Sequence, residues 1–591
     1  MHAAALVSST EVRTSLALIA LTLAALALHL WGIDHCVPHY KEADAHMALH
    51  VELLRAGSTE PDPHHNDAQY PILFPGLLSL LPDSTPAPSS NEPLEKHLAA
   101  AAHAYVELRI AMAVLAALAI PLVYALARRF LPPAGSLLAA ALFAASFLMQ
   151  FFAQQARPHA GASTVFLLSV LASMHFARSP SWRSGALAAA SVAIGIGTLQ
   201  SGLALLAPFS VAWLFATLRH VHLSARLLSW RVWSLPIVLA ALAAGSFAVF
   251  YPYLYFEGQE AAYGAPQIIG TRLVWGDHTL DLHDWKGAGF QTLARTLVYY
   301  EPGLLALLVL ALGAWVARKR DIYRPWERWS DFWVAAGFAL PYLVVTGLFR
   351  NTFERFLIPL LPYLAVLGAW GVCFWWERGG KLARGALAAL SLAAIALPAA
   401  ASLRLAQLRS RDDTLELTAH WLATQPDGAS TPIYITPFFD LPLARAHDSL
   451  QPADKRPAAI LSRWSIWQKR VGVTALPEPK FDLRYLVPRP DLGFGAAKLE
   501  SDAAGYVQAL GPGYFVLDMS RQPARPALDR LRDEIRSRGE LVFRSAPDAS
   551  DPSSQWGFPF EDELLPDWPN VLMRTLDVAA VGPVIEVYRL R

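Results

Sequence analysis

The sequence predicts a mainly α-helical protein that crosses a membrane many times and ends in a mixed α/β domain. Of its 591 residues, 54% are hydrophobic and only 16% are charged, which is too apolar for a soluble chain of this length. Apolar runs long enough to span a bilayer recur between residues 15 and 404. After residue 405 the apolar runs become short and alternate between strand-like and helix-like patterns, which indicates an α/β domain. The strand-like runs are residues 431–436, 514–518, 541–544 and 584–590, and the helix-like runs are residues 415–422 and 526–538.

Composition also limits the partners and the redox chemistry of the chain. The formal net charge of +1 gives no reason to expect nucleic acid as a partner. The chain has two cysteines, Cys36 and Cys373, and they lie far apart, so a disulfide framework is not expected. The 43 prolines and 19 tryptophans are typical of broken helices, long loops and interfacial belts.

Eleven membrane spans are predicted. The first, residues 15–32, is followed by Trp31 and Asp34 rather than by a small-residue cleavage site, so we expect a retained span and not a removed signal peptide. The other ten are expected at residues 100–127, 134–153, 159–177, 184–200, 202–218, 232–256, 295–317, 330–349, 356–376 and 384–404. We therefore predict a membrane module at 1–405 and an outer α/β domain at 406–591.

Basic residues predict the orientation of these spans. If the N-terminus is cytoplasmic, the inner loops carry most of the arginine and lysine, as the positive-inside rule requires. These residues are Arg13, Arg128, Arg129, Arg178, Arg183, Arg219, Arg226, Arg231, Arg318, Lys319, Arg320, Arg324, Arg328, Arg378, Lys381 and Arg384. The orientation places the loops 33–97 and 257–294 and the C-terminal domain on the outer face.

The first outer loop is expected to hold two interfacial helices. From Glu42 to Ala56 apolar residues recur at helical spacing, and Gly57 can supply a left-handed stop. Those apolar residues are Ala43, Met47, Val51 and Leu54. The apolar run from Tyr70 to Leu81 is too short to span and is predicted to be a second interfacial or re-entrant helix.

Two outer turns break the charge rule. One carries Arg350 and Arg355, and the other carries Arg157 and His159. A planar guanidinium stays charged and binds phosphate through two hydrogen bonds, so these residues are candidates for holding the phosphate of a lipid carrier. The alternative is that the arginines reach ordinary lipid headgroups or pair with Glu354.

Glu42 and Asp44 are the candidate general bases. They follow the first span closely and should lie near the outer membrane surface, where a carboxylate could take a proton from an acceptor hydroxyl or amine. Residues two apart on a helix do not face each other, so only one of them is expected to serve. Lys41 beside Glu42 could lower the pKa of that carboxyl. The alternative is that both are solvated charges.

Histidines cluster in the same loop. They are His29, His35, His39, His46, His50, His64 and His65. Glu42, His46 and His50 could hold a divalent metal, but a spacing of four and eight residues drifts around a helix and suits a third ligand poorly. We therefore expect ordinary polar-face histidines, with no metal or other cofactor essential for function.

The order of these features resembles the GT-C glycosyltransferase superfamily, which includes protein O-mannosyltransferases and lipid A aminoarabinose transferases. The acidic stretch after the first span is similar to the catalytic loop of the family. The other similar segments are Gln155-Ala-Arg-Pro-His159, Phe250-Tyr-Pro-Tyr253, residues 350–362 (RNTFERFLIPLLP), residues 411–422 (RDDTLELTAHWL) and the ending GPVIEVYRL from Gly582. Together they extend over nearly the whole chain, although each is short and degenerate.

The resemblance implies transfer of a sugar, with inversion, from a polyprenyl-phosphate donor to a lipid, glycan or protein acceptor. It implies a GT-C-like bundle in a bacterial inner membrane, acting on the outer face. The usual acidic motif of the family is Asp-Glu, whereas this chain has Lys41-Glu42. The base could therefore be Glu42 or Asp44, or the chain could lack transferase activity.

Two other function classes remain open. A lipid-linked-sugar flippase or other transporter would be expected to show internal repeats and charges within its spans, and we find no repeat and few such charges. A non-catalytic role in envelope assembly would be consistent with the lysine at position 41.

Overall fold

The structure is a computed structural model that describes most of the chain. The described residues are 2–40, 45–57, 71–81, 88–218, 230–251, 267–269, 272–275, 278–317, 326–437, 439–446, 462–489, 492–520, 526–548, 551, 554–557 and 570–591. Within these ranges the chain is mainly helical, and the predicted class is confirmed: a helical membrane part is followed by a mixed α/β part.

The helices of the membrane part follow one another with short breaks. They are α1 His2–Leu30, α2 Ala45–Arg55, α3 Leu73–Ser79, α4 Leu94–Ala127, α5 Pro133–Ala144, α6 Phe147–Ala153, α7 Pro158–Arg178, α8 Trp182–Thr198, α9 Leu206–Leu218, α10 Trp230–Phe250, α11 Ala288–Tyr300, α12 Pro302–Ala317, α13 Trp326–Leu348, α14 Leu361–Arg378 and α15 Lys381–Arg409. Two 3₁₀ helices, Gln200–Leu205 and Glu354–Leu360, lead into α9 and α14.

These lengths and compositions are those of an integral membrane protein. Among the described residues, seven helical stretches are long and apolar enough to cross a membrane, or up to nine if two bent pairs each count as one span. Each of the eleven predicted spans coincides with a helix or a bent pair, but α8 and α10 do not pass this test, so the count of eleven stays a prediction. Outward apolar side chains such as Leu16 and Leu23, each more than half exposed, suit contact with lipid.

Two breaks bend the helical part. The pair α5–α6 bends by 50° at Ala145 and Ser146, where the Ser146 hydroxyl accepts a hydrogen bond from the Met149 N–H and caps α6. The pair α11–α12 bends by 114° between Tyr300 and Pro302, because a proline disfavours helical geometry in the residue before it. The predicted straight span at 295–317 is therefore broken near its beginning.

The bundle packs around α4, which contacts α1, α5 and α7. Elsewhere glycines let helices approach closely, as is common in membranes. A Cβ built on Gly303 would lie 2.5 Å from the Ala394 Cα, and one built on Gly371 would lie 2.7 Å from the Ala311 Cα. These contacts fix α12 against α14 and α15.

The first outer loop holds both predicted interfacial helices. The helix α2 begins at Ala45 and ends at Arg55, and Gly57 follows with φ +75°, the left-handed stop that the sequence predicts. The helix α3 occupies the middle of the predicted run at 70–81. Both contact α4, so the loop packs against the bundle.

Two sheets lie outside the helical bundle. The first is a small antiparallel sheet of β1 Gln267–Ile269, β2 Arg272–Trp275 and β3 His278–Asp281, which the sequence did not predict. The second has the order β5-β4-β6-β8-β7, with β5, β4 and β6 parallel and the two remaining pairs antiparallel. Its strands are β4 Ile433–Ile435, β5 Leu483–Tyr485, β6 Gly513–Asp518, β7 Glu540–Ser545 and β8 Ile585–Leu590.

Six helices accompany this second sheet in the described residues. They are α16 Thr414–Thr424, α17 Arg463–Val471, α18 Ala496–Ser501, α19 Ala503–Leu510, α20 Pro526–Arg538 and α21 Val571–Asp577. The helices α16 and α20 contact the sheet, and α18 and α19 pack on α20, whereas α17 packs against α4 and α21 packs against α11 and α15. The predicted helices at 415–422 and 526–538 and the four predicted strands are confirmed. Among the strands of this sheet, only β5 was not predicted.

Candidate functional site

The turn between α6 and α7 places Arg157 and His159 at the beginning of a long helix. Pro158 opens α7, where the missing N–H of proline costs no hydrogen bond, and Arg157 is the extended residue before it. Both Arg157 and His159 are almost fully buried, with 1% and 2% of their surface exposed. The N-terminus of α7 adds partial positive charge at the same place, which favours an anion.

Arg355 comes to the same place from a distant part of the chain. Its guanidinium lies 4.2 Å from the centroid of the Phe353 ring and 5.5 Å from that of Phe356. Phe356 in turn stacks on the His159 ring at 6.0 Å. Both Arg355 and Arg157 act electrostatically on His159. The structure thus brings together three of the four predicted phosphate-binding residues, which we call the arginine cluster (Arg157, His159 and Arg355).

Arg350 lies apart from this cluster. Its side chain is exposed, and its backbone N–H donates to the carbonyl of Asp284 at 2.7 Å. In the part of the chain that the structure describes, it makes no contact with the arginine cluster. The neighbouring Glu354 is 2% exposed and forms an ion pair with Arg295 of α11 at 3.8 Å. A role for Arg350 in binding phosphate stays a prediction.

The candidate bases Glu42 and Asp44 lie outside the described residues, but both flanks of their segment are described. On one side, the turn at 31–40 is held by Arg109 of α4, which donates to the carbonyls of Ile33 at 2.9 Å and His35 at 2.8 Å. On the other side, α2 begins directly at Ala45. The four residues 41–44 therefore connect two anchored segments.

A hydrogen-bonded glutamine joins the first flank to the turn that carries Arg157. The side-chain amide of Gln154 donates to the carbonyl of Trp31 at 2.5 Å. Its oxygen accepts from Arg409, at the end of α15, at 2.8 Å. Gln154 is three residues before Arg157 and is fully buried. Gln154 thus links the turn that precedes the acidic segment to the turn that carries Arg157.

The second flank is fixed by ion pairs. Arg55 at the end of α2 pairs with Glu107 of α4 at 2.9 Å. Glu52 pairs with Arg463 of α17 and, at 3.5 Å, with Arg470. Burial, together with the charge of Arg470, lowers the pKa of Arg463 to about 10, so Arg463 stays charged at neutral pH. The helix α2 is therefore held between the bundle and the C-terminal domain.

His35 in the first flank is held as the neutral imidazole. Its Nδ1 lies 2.9 Å from the carbonyl of Gly32, which fits a donated N–H. Burial lowers the pKa of His35 well below its usual value, and the nearby cations Arg409 and Arg109 lower it further. An imidazole in this state is suited to positioning the turn and not to carrying charge.

The other histidines of the cluster have separate environments. His29 contacts Gln150 at 2.5 Å inside the bundle, and His39 pairs with Asp413 at 2.8 Å. His50 is half-buried on α2. The grouping of Glu42, His46 and His50 that could hold a metal, which the sequence did not favour, falls partly on residues that the structure does not describe, so it stays untested.

The polar residues that connect these parts were not predicted from the sequence. Arg109 and Gln154 lie within or beside apolar runs, and Arg409 lies at the end of one. A charged or amide side chain inside a span usually faces the interior and has a partner there, so Arg109 in the middle of α4 was a usable signal. Tyr342, a buried phenol on which Arg355 also acts, carried no such signal.

Comparison with solved structures finds similar membrane proteins. ArnT from Cupriavidus metallidurans bound to undecaprenyl phosphate is similar with a TM-score of 0.41 and 14% identity, over 85% of this chain and 92% of that chain. The oligosaccharyltransferase AglB from Archaeoglobus fulgidus, in complex with an inhibitory peptide and a dolichol-phosphate, is similar with a TM-score of 0.40 and 12% identity, over 90% and 73%. Both are GT-C glycosyltransferases.

These similarities are weak, and they do not by themselves assign an activity to this chain. No family model matches the sequence, and no curated protein matches it either. The functional assignment therefore has to come from the residues described above.

Proposed function

We propose that this protein is a membrane glycosyltransferase that moves a sugar from a polyprenyl-phosphate donor to an acceptor on the outer face of the membrane. The arginine cluster carries the proposal. It combines two guanidinium groups with the N-terminus of a 21-residue helix at the end of an apolar bundle. That combination suits one phosphate group attached to a lipid chain, because the charge lies at the end of the helices and the apolar surface lies beside it.

The proposed reaction is a single displacement. A carboxylate, Glu42 or Asp44, takes the proton from the acceptor hydroxyl or amine as the acceptor atom forms a bond to the sugar C1. The bond between C1 and the phosphate oxygen breaks, and its electron pair leaves with the polyprenyl phosphate. Arg157 and Arg355 neutralise the charge that collects on the departing phosphate. Attack opposite to the leaving group inverts the configuration at C1.

The connection between the two halves of the site supports this division of roles. Gln154 hydrogen-bonds to Trp31, and Arg109 fixes the turn that follows, so the turn that leads into the segment with both carboxylates is linked to the turn that carries Arg157. Fixed positions of base and phosphate site are what a displacement between two bound substrates needs. The cytoplasmic N-terminus and the bacterial inner membrane are part of the proposal and follow from the charge pattern of the loops and the family resemblance.

The proposal is tested with undecaprenyl phosphate as the probe. Its binding to the purified full-length chain is compared with that of undecaprenol, which has the same tail but no phosphate. We expect the phosphate to bind at least tenfold more tightly, because only it can meet the two guanidinium groups. Equal affinity for both lipids would show that the protein does not recognise the phosphate, and it would exclude the proposed class of donor.

Vesicles that contain the protein distinguish transport of the donor from transfer of its sugar. If the sugar-loaded donor crosses the vesicle membrane and no sugar is transferred, the chain is a flippase. If the phosphate binds but neither transport nor transfer occurs, the chain has a binding role in envelope assembly. Either result would contradict the proposed reaction while leaving the phosphate site in place.

A further inference from the structure

A second polar cluster lies where the outer loop meets the first helix of the C-terminal domain. It consists of His39, Asp413 and Glu416, and one ligand atom from each lies within 4.8 Å of the others. His39 and Asp413 are each 1% exposed, and Glu416 is half-buried, so it leaves a route for a small ion. None of the three belongs to the proposed transfer reaction.

Capping of α16 accounts for part of this arrangement but not for all of it. Asp413 Oδ1 accepts the N–H groups of Leu415 and Glu416, and Glu416 Oε2 accepts the N–H of Asp413. Asp413 Oδ2 is directed to His39 Nε2 at 2.8 Å. The cap uses only Oδ1, so Oδ2 of Asp413 contacts the imidazole of His39, which lies 374 positions earlier in the sequence.

The charge around the cluster is negative. His39 is acted on by Asp413, Glu416 and Asp440 together, and Asp412 adds to the field at Glu416. The arginines that act on neighbouring Cys36, Arg109 and Arg409, donate to carbonyl and amide oxygens elsewhere. At most one positive charge, on the imidazole of His39, faces the two carboxylates, so a divalent cation would compensate their charge more fully. The His39 Nδ1 is also buried without a hydrogen-bond partner among the described residues.

We propose that His39, Asp413 and Glu416 bind a divalent cation, with Zn²⁺ the best fit to one imidazole and two carboxylates. Ligand atoms at about 2.1 Å from a tetrahedral centre lie about 3.4 Å apart. The distance between His39 Nε2 and Asp413 Oδ2, which is 2.8 Å, must increase by about half an ångström to admit the ion. The half-buried Glu416 side chain must rotate so that its carboxylate approaches the other two ligand atoms. Binding releases to solvent the proton shared by His39 and Asp413. A water molecule would complete the coordination.

The ion would tie the outer loop to the C-terminal domain three residues before Glu42. It would thereby fix the beginning of the acidic segment, although the site does not depend on the transferase proposal. The same region already has backbone contacts between these parts: Tyr40 pairs with Phe439 in an isolated β-bridge, and the Asp440 N–H donates to the carbonyl of His39 at 2.9 Å.

The test uses Zn²⁺ itself and the purified full-length chain after chelator treatment. Metal content is measured by mass spectrometry after equilibration with Zn²⁺, and affinity is measured by competition with a chromophoric chelator. We expect one Zn²⁺ per chain and an increase in Tm on binding. His39→Gln and Glu416→Gln should each weaken affinity at least tenfold. The amide oxygen that Glu416→Gln introduces can still accept the Asp413 N–H, so the helix cap survives in that variant.

His420→Ala is the matched control. His420 lies on α16 and pairs with Asp412 at 3.2 Å, and both side chains are exposed. This variant should therefore bind Zn²⁺ as the unmodified chain does. Failure of the unmodified chain to bind Zn²⁺ would overturn the proposal. Equal binding by His39→Gln and Glu416→Gln would also overturn it, because the ion would then lie elsewhere, for example at Glu42, His46 and His50.

Discussion

Replacing Arg355 with alanine should weaken binding of the donor lipid by about 10- to 100-fold. Arg355 is half-buried above the Phe353 ring and acts on His159 beside Arg157, so its guanidinium is held in place before a ligand arrives. A hydrogen bond to a charged group contributes about 1.5–3 kcal/mol, and each 1.4 kcal/mol corresponds to a factor of ten in affinity. The remaining Arg157 and the helix N-terminus keep the loss from being complete.

The assay is binding of undecaprenyl phosphate to the detergent-purified chain, with Tm measured as a check on folding. Arg355→Lys keeps the charge but loses the planar fork, so its affinity should lie between those of the unmodified chain and Arg355→Ala. Arg411→Ala removes an exposed outer arginine and should change affinity less than threefold. Arg350→Ala should cost less than Arg355→Ala, since Arg350 lies outside the cluster.

If Arg355→Ala binds the lipid phosphate within threefold of the unmodified chain while keeping its Tm, the assignment of the cluster to phosphate is wrong. If the alanine variants of Arg355, Arg350 and Arg411 all lose affinity equally, general surface charge and not the cluster controls binding. Both results would refute the reasoning from burial and geometry.

Three further predictions test the support around the site. Glu301→Ala should lower the free energy of unfolding by about 2–4 kcal/mol and Glu301→Gln by less, because Glu301 accepts a hydrogen bond from the Ser146 hydroxyl at 2.6 Å at the beginning of α6. An unchanged Tm in both variants would contradict this. Arg109→Ala should speed hydrogen exchange of the turn at 31–40 at least tenfold, and unchanged exchange would show that Arg109 does not anchor it. Folding lowers the pKa of His35, so on acidification the imidazole gains a proton in the unfolded chain before it does so in the folded chain. The free energy of unfolding should therefore fall as the pH drops below about 6.5, by at most about 1.4 kcal/mol per pH unit. His35→Asn, which can still donate to the Gly32 carbonyl, should show a smaller fall, and an equal fall would exclude His35 as the source.

Local patterns account for what could be predicted of the fold. Helical spacing of apolar residues and Gly57 predicted α2 to within one residue at its end, and the predicted beginning at Glu42 lies outside the described residues. The 114° bend after Tyr300 was not predicted, because the apolar run continues through it. Glu301 and Pro302 were the available signals, since a carboxylate followed by a proline inside an apolar run marks a break in a span.

The site was predictable only in part, for a physical reason. Arg157 and Arg355 stood out because each is a cation in a turn that the charge pattern predicts to be outer, where few cations are expected. Their contact through His159 and Phe356 joins residues that are far apart in the sequence, and no local pattern reports such a contact. The same holds for the pair of His39 and Asp413, which only the folded chain brings together.

Transfer of a labelled sugar from polyprenyl phosphate by the purified protein tests the central claim most directly. The account predicts transfer, with inversion at C1, by the unmodified chain and at least a hundredfold slower transfer by the double variant Glu42→Gln and Asp44→Asn, which removes both candidate bases but keeps donor binding. Full activity in the double variant would contradict the account, and so would the absence of transfer from every polyprenyl-phosphate sugar and acceptor class supplied.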